Sequence, residues 1–226
     1  MRSPTGRSRS ALRWLPTTIR RIDVAFICTG NICRSPMAEV LLRERLAALA
    51  PEIVVGSAGL LFDDGRPAET NAIKAMQRRG LDLSAHRART ISLEVLGPTS
   101  LILAMEPMHV RQVAVLAIEL YPRSFTLPEF TRAASLFGPR PSGESLRSWV
   151  ERIAAPRSPG DHGFENPQSS IADPMGKSRR AFRACADEID DLLAELVDLA
   201  WPVPEHRDPP VATTTPGGTH ADRDRR

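Results

Sequence analysis

Cysteine is scarce in this 226-residue chain, with Cys28, Cys33 and Cys185 its only three. An odd, sparse set does not build a disulfide framework and fits a reducing compartment, so a cytoplasmic location is expected. No apolar run reaches the roughly 18 residues that a membrane-spanning helix needs. The charged first residues are not followed by an apolar stretch of about 7, so a secretory signal is not expected. Histidine, cysteine and acidic residues nowhere stand at metal-ligand spacing, and no metal is expected.

A basic folded surface is also missing. The net charge is +3, but residues 1–21 carry six arginines and no acid, and 202–226 carry four arginines against four acids. Residues 22–201 are left with a charge of −3. Nucleic-acid binding needs a basic face on the folded part, so no such partner is expected.

What is present is an alternation of short apolar runs and amphipathic stretches. Residues 1–20, rich in Arg, Ser, Thr and Pro, read as an unstructured basic leader, and 202–226 as an unstructured tail. Between them lies one domain over 21–201. Ile22–Ile27 reads as a buried strand. Ser35-Pro36 reads as a helix start, with Ser35 at the N-cap and an inner stripe of Met37, Val40, Leu41, Leu46 and Leu49. Further strands are predicted at Glu52–Ser57, Ser100–Met105 and Ser124–Leu127. Helices are predicted at Glu69–Arg79, Pro107–Ile118, Phe130–Phe137, Gly143–Ile153 and Lys177–Ala200. On the last, Phe182, Cys185, Ile189, Leu192, Leu193 and Leu196 recur at helical steps, which places Cys185 in the core. The fold class is α/β: a three-layer sandwich, a four-stranded parallel sheet with helices on both faces. Ligands in such sheets bind in the loops after the strands' carboxyl ends.

The first such loop carries the chemistry. In Cys28-Thr29-Gly30-Asn31-Ile32-Cys33-Arg34-Ser35, five residues separate a cysteine from an arginine, between a strand and a helix. Five residues can curl so that their backbone N–H groups converge on a phosphate. The helix behind adds its positive end. Gly30 and Asn31 tolerate the left-handed conformations that curling demands. Arg34 can offer two parallel donors to phosphoryl oxygens. The same field favours the Cys28 thiolate, a nucleophile, and Ser35 can hydrogen-bond the sulfur.

Val24 to Glu39, VAFICTGNICRSPMAE, resembles the N-terminal signature of the low-molecular-weight protein tyrosine phosphatases, as a bacterial-type member with an N-terminal extension and a longer 130–170 region. Ser57-Ala58-Gly59, Ser84-Ala85-His86-Arg87-Ala88-Arg89, Leu101 to Glu106 with His109, and Asp173-Pro174 are similar to later family segments. The resemblance implies that Cys28 attacks phosphorus, that Arg34 binds the transferring group, and that Asp173 protonates the leaving oxygen and then helps a water hydrolyse the cysteinyl-phosphate. It implies that Thr29, Gly30, Asn31, Ile32, Cys33 and Ser35 line the phosphate, and that Asn31, Ser35, Ser57 and His86 hold the loop in shape. It implies no organic cofactor, a tyrosine-phosphorylated protein as substrate, and a monomer. Cys33 has two readings: a reversible disulfide partner for Cys28, or a small buried side chain.

Three departures bear on the substrate. The residue after Asp173-Pro174 is Met175 where aromatics are usual. After Gly59 only Phe62 could serve as a wall aromatic. Tyr121 is the only tyrosine, so paired tyrosines near the acid are absent. The 130–170 region is expected to form a different lid, and Asp161 and Glu165 are the alternative acids. Two other functions compete. An arsenate reductase on this scaffold needs relay cysteines after the third strand, and none stands between Cys33 and Cys185. A phosphate-binding module without turnover would not need Cys28, Arg34 and an acid together.

Overall fold

The computed structural model describes residues 21–157 and 167–203. The leader, most of the tail, Asp161 and Glu165 lie outside the described residues. Four strands, β1 (Val24–Cys28), β2 (Val55–Gly59), β3 (Leu101–Ala104) and β4 (Ser124–Thr126), form one parallel sheet in the order β2-β1-β3-β4. The helices are α1 (Arg34–Leu46), α2 (Thr70–Gln77), α3 (Leu93–Leu96), α4 (Pro107–Leu116), α5 (Leu127–Phe137), α6 (Leu146–Ala154) and α7 (Arg179–Ala200). Every strand residue is buried, as in a sheet covered on both faces.

Strand alternation sorts the core into two layers. Val24, Phe26 and Cys28 with Leu101 and Leu103 face α1, α2, α5, α6 and α7. Ala25, Ile27, Ile102 and Ala104 face Leu96 of α3 and Val110 and Val113 of α4. This is the expected three-layer architecture. Cys28, the last residue of β1, therefore points into the larger layer, toward α1 and α7. Cys185 lies in that layer too, on the inner face of α7, and burial pushes its thiol up to about 12.

Two details depart from expectation. The helix after the loop starts at Arg34, with Cys33 at the N-cap and no side-chain cap. Ser35 is not the cap, because its hydroxyl is spent on Cys28 and Asn31. On α1, Leu42 rather than Leu49 completes the buried stripe, and Leu49 is exposed.

In place of a lid, the 130–155 stretch forms α5 and α6, whose inner faces pack into the core. Thr126 and Glu129 close a capping box that starts α5. Phe130 then stacks edge-on between Phe125 (4.8 Å) and Trp149 (5.6 Å), and Trp149 is fully buried. Removing such an indole would cost about 3–5 kcal/mol. Among the described residues no helix is long and apolar enough to cross a membrane.

Candidate active site

The loop from Thr29 to Cys33 is held by β2 and by the segment before β3. Asn31 is the one described non-glycine residue with a left-handed backbone, φ 51°, whereas Gly30 needs no such conformation. Gly59 has another use: a Cβ there would lie 2.9 Å from the Asn31 amide nitrogen, so the end of β2 can approach the loop only without a side chain.

Hydrogen-bond valence fixes the direction of the network beneath the loop. The Asn31 side-chain amide spends its two protons on Ser35 Oγ (2.9 Å) and Ser57 Oγ (2.8 Å). Ser57 donates its own proton to Glu39 (2.5 Å). Ser35, already accepting from Asn31, has its proton free for Cys28 Sγ at 2.9 Å. Asn31 Oδ1 accepts from the Arg89 amide at 3.0 Å. His86 Nε2 lies 2.7 Å from the Asn31 carbonyl, which can only accept, so the imidazole is protonated on Nε2. Burial lowers the His86 pKa. Asn31, Ser35, Ser57 and His86 are thus brought together. Glu39 joins them as the terminal acceptor, and it is also paired with Arg43.

Arg34 is almost completely buried, with its guanidinium divided among three acceptors. Nη1 bonds Glu106 and the Ile171 carbonyl (3.0 Å), and Nη2 bonds Asp173 Oδ2 at 2.7 Å. Burial opposes the charge, but the Glu106 hydrogen bond and the negative groups around it raise the Arg34 pKa above its ordinary value. Arg34 Nε is buried and has no partner, an unusual cost in a folded protein unless a ligand answers it.

Asp173 is 45% exposed at its side chain and sits in a turn, where its Oδ1 accepts from the Met175 amide at 3.0 Å. Cys28, Thr29, Gly30, Ile32, Cys33, Arg34, Asp173 and Met175 line one cavity of about 300 Å³. Its outer wall is Leu61 with Arg66; Phe62 is 96% exposed and does not reach it, correcting the expected wall. Cys33 is buried as the N-cap, and burial first, then the neighbouring negative groups, raises its pKa so that it remains a thiol. Cys28, Cys33 and Cys185 are all unbridged.

Sequence reasoning missed Glu106 and His109 as parts of this site. His109 is fully buried, with Nε2 3.0 Å from Thr29 Oγ1 and Nδ1 unpartnered. Burial and the Arg34 charge push its pKa down to about 4. Their common signal is position: both lie at the start of α4, the next helix to leave the sheet's carboxyl edge.

Residues 23–137 match the family described as low molecular weight phosphotyrosine protein phosphatase. The chain is 33% identical over 160 residues to the low molecular weight protein-tyrosine-phosphatase Etp of Escherichia coli K12, covering 71% of this chain and 82% of that one. It is 26% identical over 175 residues to a protein-arginine-phosphatase of Bacillus subtilis, covering 77% and 94%. Among solved structures, the low molecular weight protein tyrosine phosphatase from T. tengcongensis aligns with TM-score 0.60 and 28% identity over 78% of this chain and 98% of its own.

Proposed function

The chain belongs to the low molecular weight phosphotyrosine protein phosphatase family, and on that premise we propose that Cys28, Arg34 and Asp173 hydrolyse aryl phosphates, phosphotyrosine in proteins first among them. It is an enzyme, a cysteine-dependent phosphoric monoester hydrolase. The observation that carries the assignment is the buried Arg34 fork beside Cys28. Nε lacks a partner and Nη2 holds only Asp173, so these two donors suit two phosphoryl oxygens once the carboxylate moves aside.

The steps follow from the geometry. A phosphate dianion enters the loop, meets its amides and the uncapped start of α1, and displaces Asp173 from Nη2. Asp173, freed from Arg34, takes up a proton from solvent, and the Cys28 thiolate attacks phosphorus while Asp173 gives that proton to the departing oxygen. The S–P bond forms as the P–O bond breaks. Asp173, now a carboxylate, takes a proton from the water that attacks the cysteinyl-phosphate. The thiolate leaves with the Ser35 hydroxyl already directed at it, a donor aimed where charge develops. Thr29, Gly30, Ile32 and Cys33 complete the cradle. Asn31, Ser57 and His86 are positioning residues that hold its shape.

The walls favour an aromatic leaving group. Ile32, Leu61 and Met175 offer apolar surface for a phenyl ring. A phosphorylated guanidino group would need several acceptors for its N–H groups, and among the lining side chains only Asp173 and Thr29 supply them. The test is hydrolysis of p-nitrophenyl phosphate, a phosphotyrosine peptide and a phosphoarginine peptide by the full chain and by Cys28→Ser. Turnover of both aryl phosphates at least tenfold above phosphoarginine is expected, with no turnover but retained phosphate binding in Cys28→Ser. Wild-type-like hydrolysis in that variant rejects the nucleophile.

A further inference from the structure

A second cleft, of about 370 Å³, opens between α2 and α7 and is lined by Lys74, Arg78, Arg179 and Arg183 together with Asn71 and Gln77. Lys74 and Arg78 stand one turn apart on α2, and Arg179 and Arg183 one turn apart on α7, so each helix offers two cations about 6 Å apart along its axis. All four are exposed, and none is within ion-pair distance of an acid among the described residues. Two acids of α7 pair elsewhere: Asp187 with Arg79, and Asp190 with Arg79 and Arg45 at 2.7 Å each. In a domain whose residues 22–201 carry a net charge of −3, this is a concentrated positive patch whose cations have no ion-pair partner among the described residues.

The cleft is tied to the rim of the catalytic cavity. The two helices pack against each other: α2 lines the cleft from Asn71 to Arg78, α7 lines it with its first turns, and Arg79, past the end of α2, meets α7 at Asp187 and Asp190. Glu69, the N-cap of α2, donates its amide to the Ile32 carbonyl of the phosphate loop at 2.8 Å. Arg179 follows Asp173 by six residues, a separation of at most about 20 Å. A peptide bound through its phosphorylated residue could therefore lay its neighbours across these cations.

We propose that this cleft docks an acidic segment, rich in Asp and Glu, that flanks the phosphorylated residue of the protein substrate. The proposal rests on the phosphatase reading above and adds what selects among phosphoproteins. Charge complementarity names the occupant: four unpaired cations in a concave site fit several carboxylates. Held far from the reacting atoms, these contacts bind ground and transition states alike and so act on KM.

Two phosphotyrosine peptides with the same core, one flanked by four Glu and one by four Gln, are compared on the full chain with p-nitrophenyl phosphate as reference. The Glu peptide should show kcat/KM about tenfold higher, through KM, with the advantage shrinking as salt rises. The variant K74A/R78A/R179A/R183A and the milder R179Q/R183Q should erase or reduce that advantage while p-nitrophenyl phosphate is turned over as in the wild type. Equal kcat/KM for the two peptides, or an advantage that survives the fourfold variant, overturns the docking site. A short DNA duplex that binds the wild type but not the variant, without any Glu-peptide preference, also overturns it in favour of nucleic acid. Absence of p-nitrophenyl phosphate hydrolysis in the wild type would instead reject the phosphatase reading.

Discussion

The two sides of the catalytic cavity are built differently. On one side Cys28, Asn31, Arg34 and Ser35 are each 3% exposed or less, and the hydrogen bonds beneath them fan out from Asn31, which donates to Ser35 and to Ser57, with Ser57 donating on to Glu39. On the other, Asp173 and Met175 are 45% and 43% exposed, and Asp173 is held by Arg34 and one local turn bond. The phosphate cradle is fixed before substrate arrives, where charge stabilisation gains from preorganisation. The looser hold on Asp173 suits the proposed acid, which would release Arg34 and then serve two steps in opposite proton directions.

If that division is right, damage to the cradle should be catastrophic and damage to the arm selective. The largest effect should come from Arg34→Lys. Lysine keeps the charge but cannot serve Glu106, the Ile171 carbonyl and a phosphoryl fork together, so kcat/KM for p-nitrophenyl phosphate should fall by about a thousandfold. A loss under about threefold would place the clamp elsewhere.

Asp173→Asn should be next and should depend on the leaving group. p-Nitrophenolate departs without help, whereas the tyrosine phenolate, with a pKa near 10, needs a proton. Phosphotyrosine peptide turnover should fall about a hundredfold and p-nitrophenyl phosphate turnover less than tenfold. Equal losses would transfer the acid role, with Asp161 and Glu165 the next variants to measure.

Stability offers a sharper contrast. Asn31→Ala removes three buried hydrogen bonds of the side chain and puts an alanine at φ 51°, which should cost about 2–4 kcal/mol in denaturant unfolding. Met175→Ala should change stability by less than about 0.5 kcal/mol. Similar losses for the two would erase the distinction between cradle and arm.

The remaining effect is on pH dependence. His109 is held neutral by burial and by Arg34, with its pKa down at about 4. Between its ordinary 6.5 and about 4 the unfolded chain takes up a proton that the folded chain refuses. Stability should therefore fall as pH drops through that window and level off for this group below it. His86, also lowered, adds in the same direction. Denaturant unfolding of His109→Gln across pH 4 to 7 should show a shallower slope than the wild type; an unchanged slope would mean that His109 titrates normally.

Much of the cradle was legible because its parts are contiguous. A buried strand, a Cys-to-Arg loop and a helix within residues 24–46 leave little freedom for where Cys28 and Arg34 sit. The parallel sheet was legible from apolar runs separated by amphipathic stretches. The misreadings came where one residue had two possible partners. Ser35 beside Pro36 has the local form of an N-cap, but the sulfur and Asn31 claim its hydroxyl. Phe62 is the larger apolar residue, yet it stands in solvent while the half-exposed Leu61 lines the cavity. Length suggested a lid over 130–170, whereas Phe130 of α5 and Trp149 of α6 anchor those two helices in the core.

By itself the sequence determined the order of the four strands and of every described α-helix but the short α3, the identity of the loop, and the pairing of a cysteine with an arginine across five residues. Those depend on local periodicity and spacing, which a linear chain displays directly. Only the tertiary structure decided that Glu106 and Asp173, 72 and 139 residues from Arg34, share its guanidinium. It also decided that Glu39 ends the Asn31 network, and that four cations of α2, its C-cap and α7 line one cleft. The physical reason is that burial, ion pairing and hydrogen-bond direction depend on distances across the parallel sheet. Its crossovers join residues far apart in sequence at one edge, and no spacing along the chain records which of them meet.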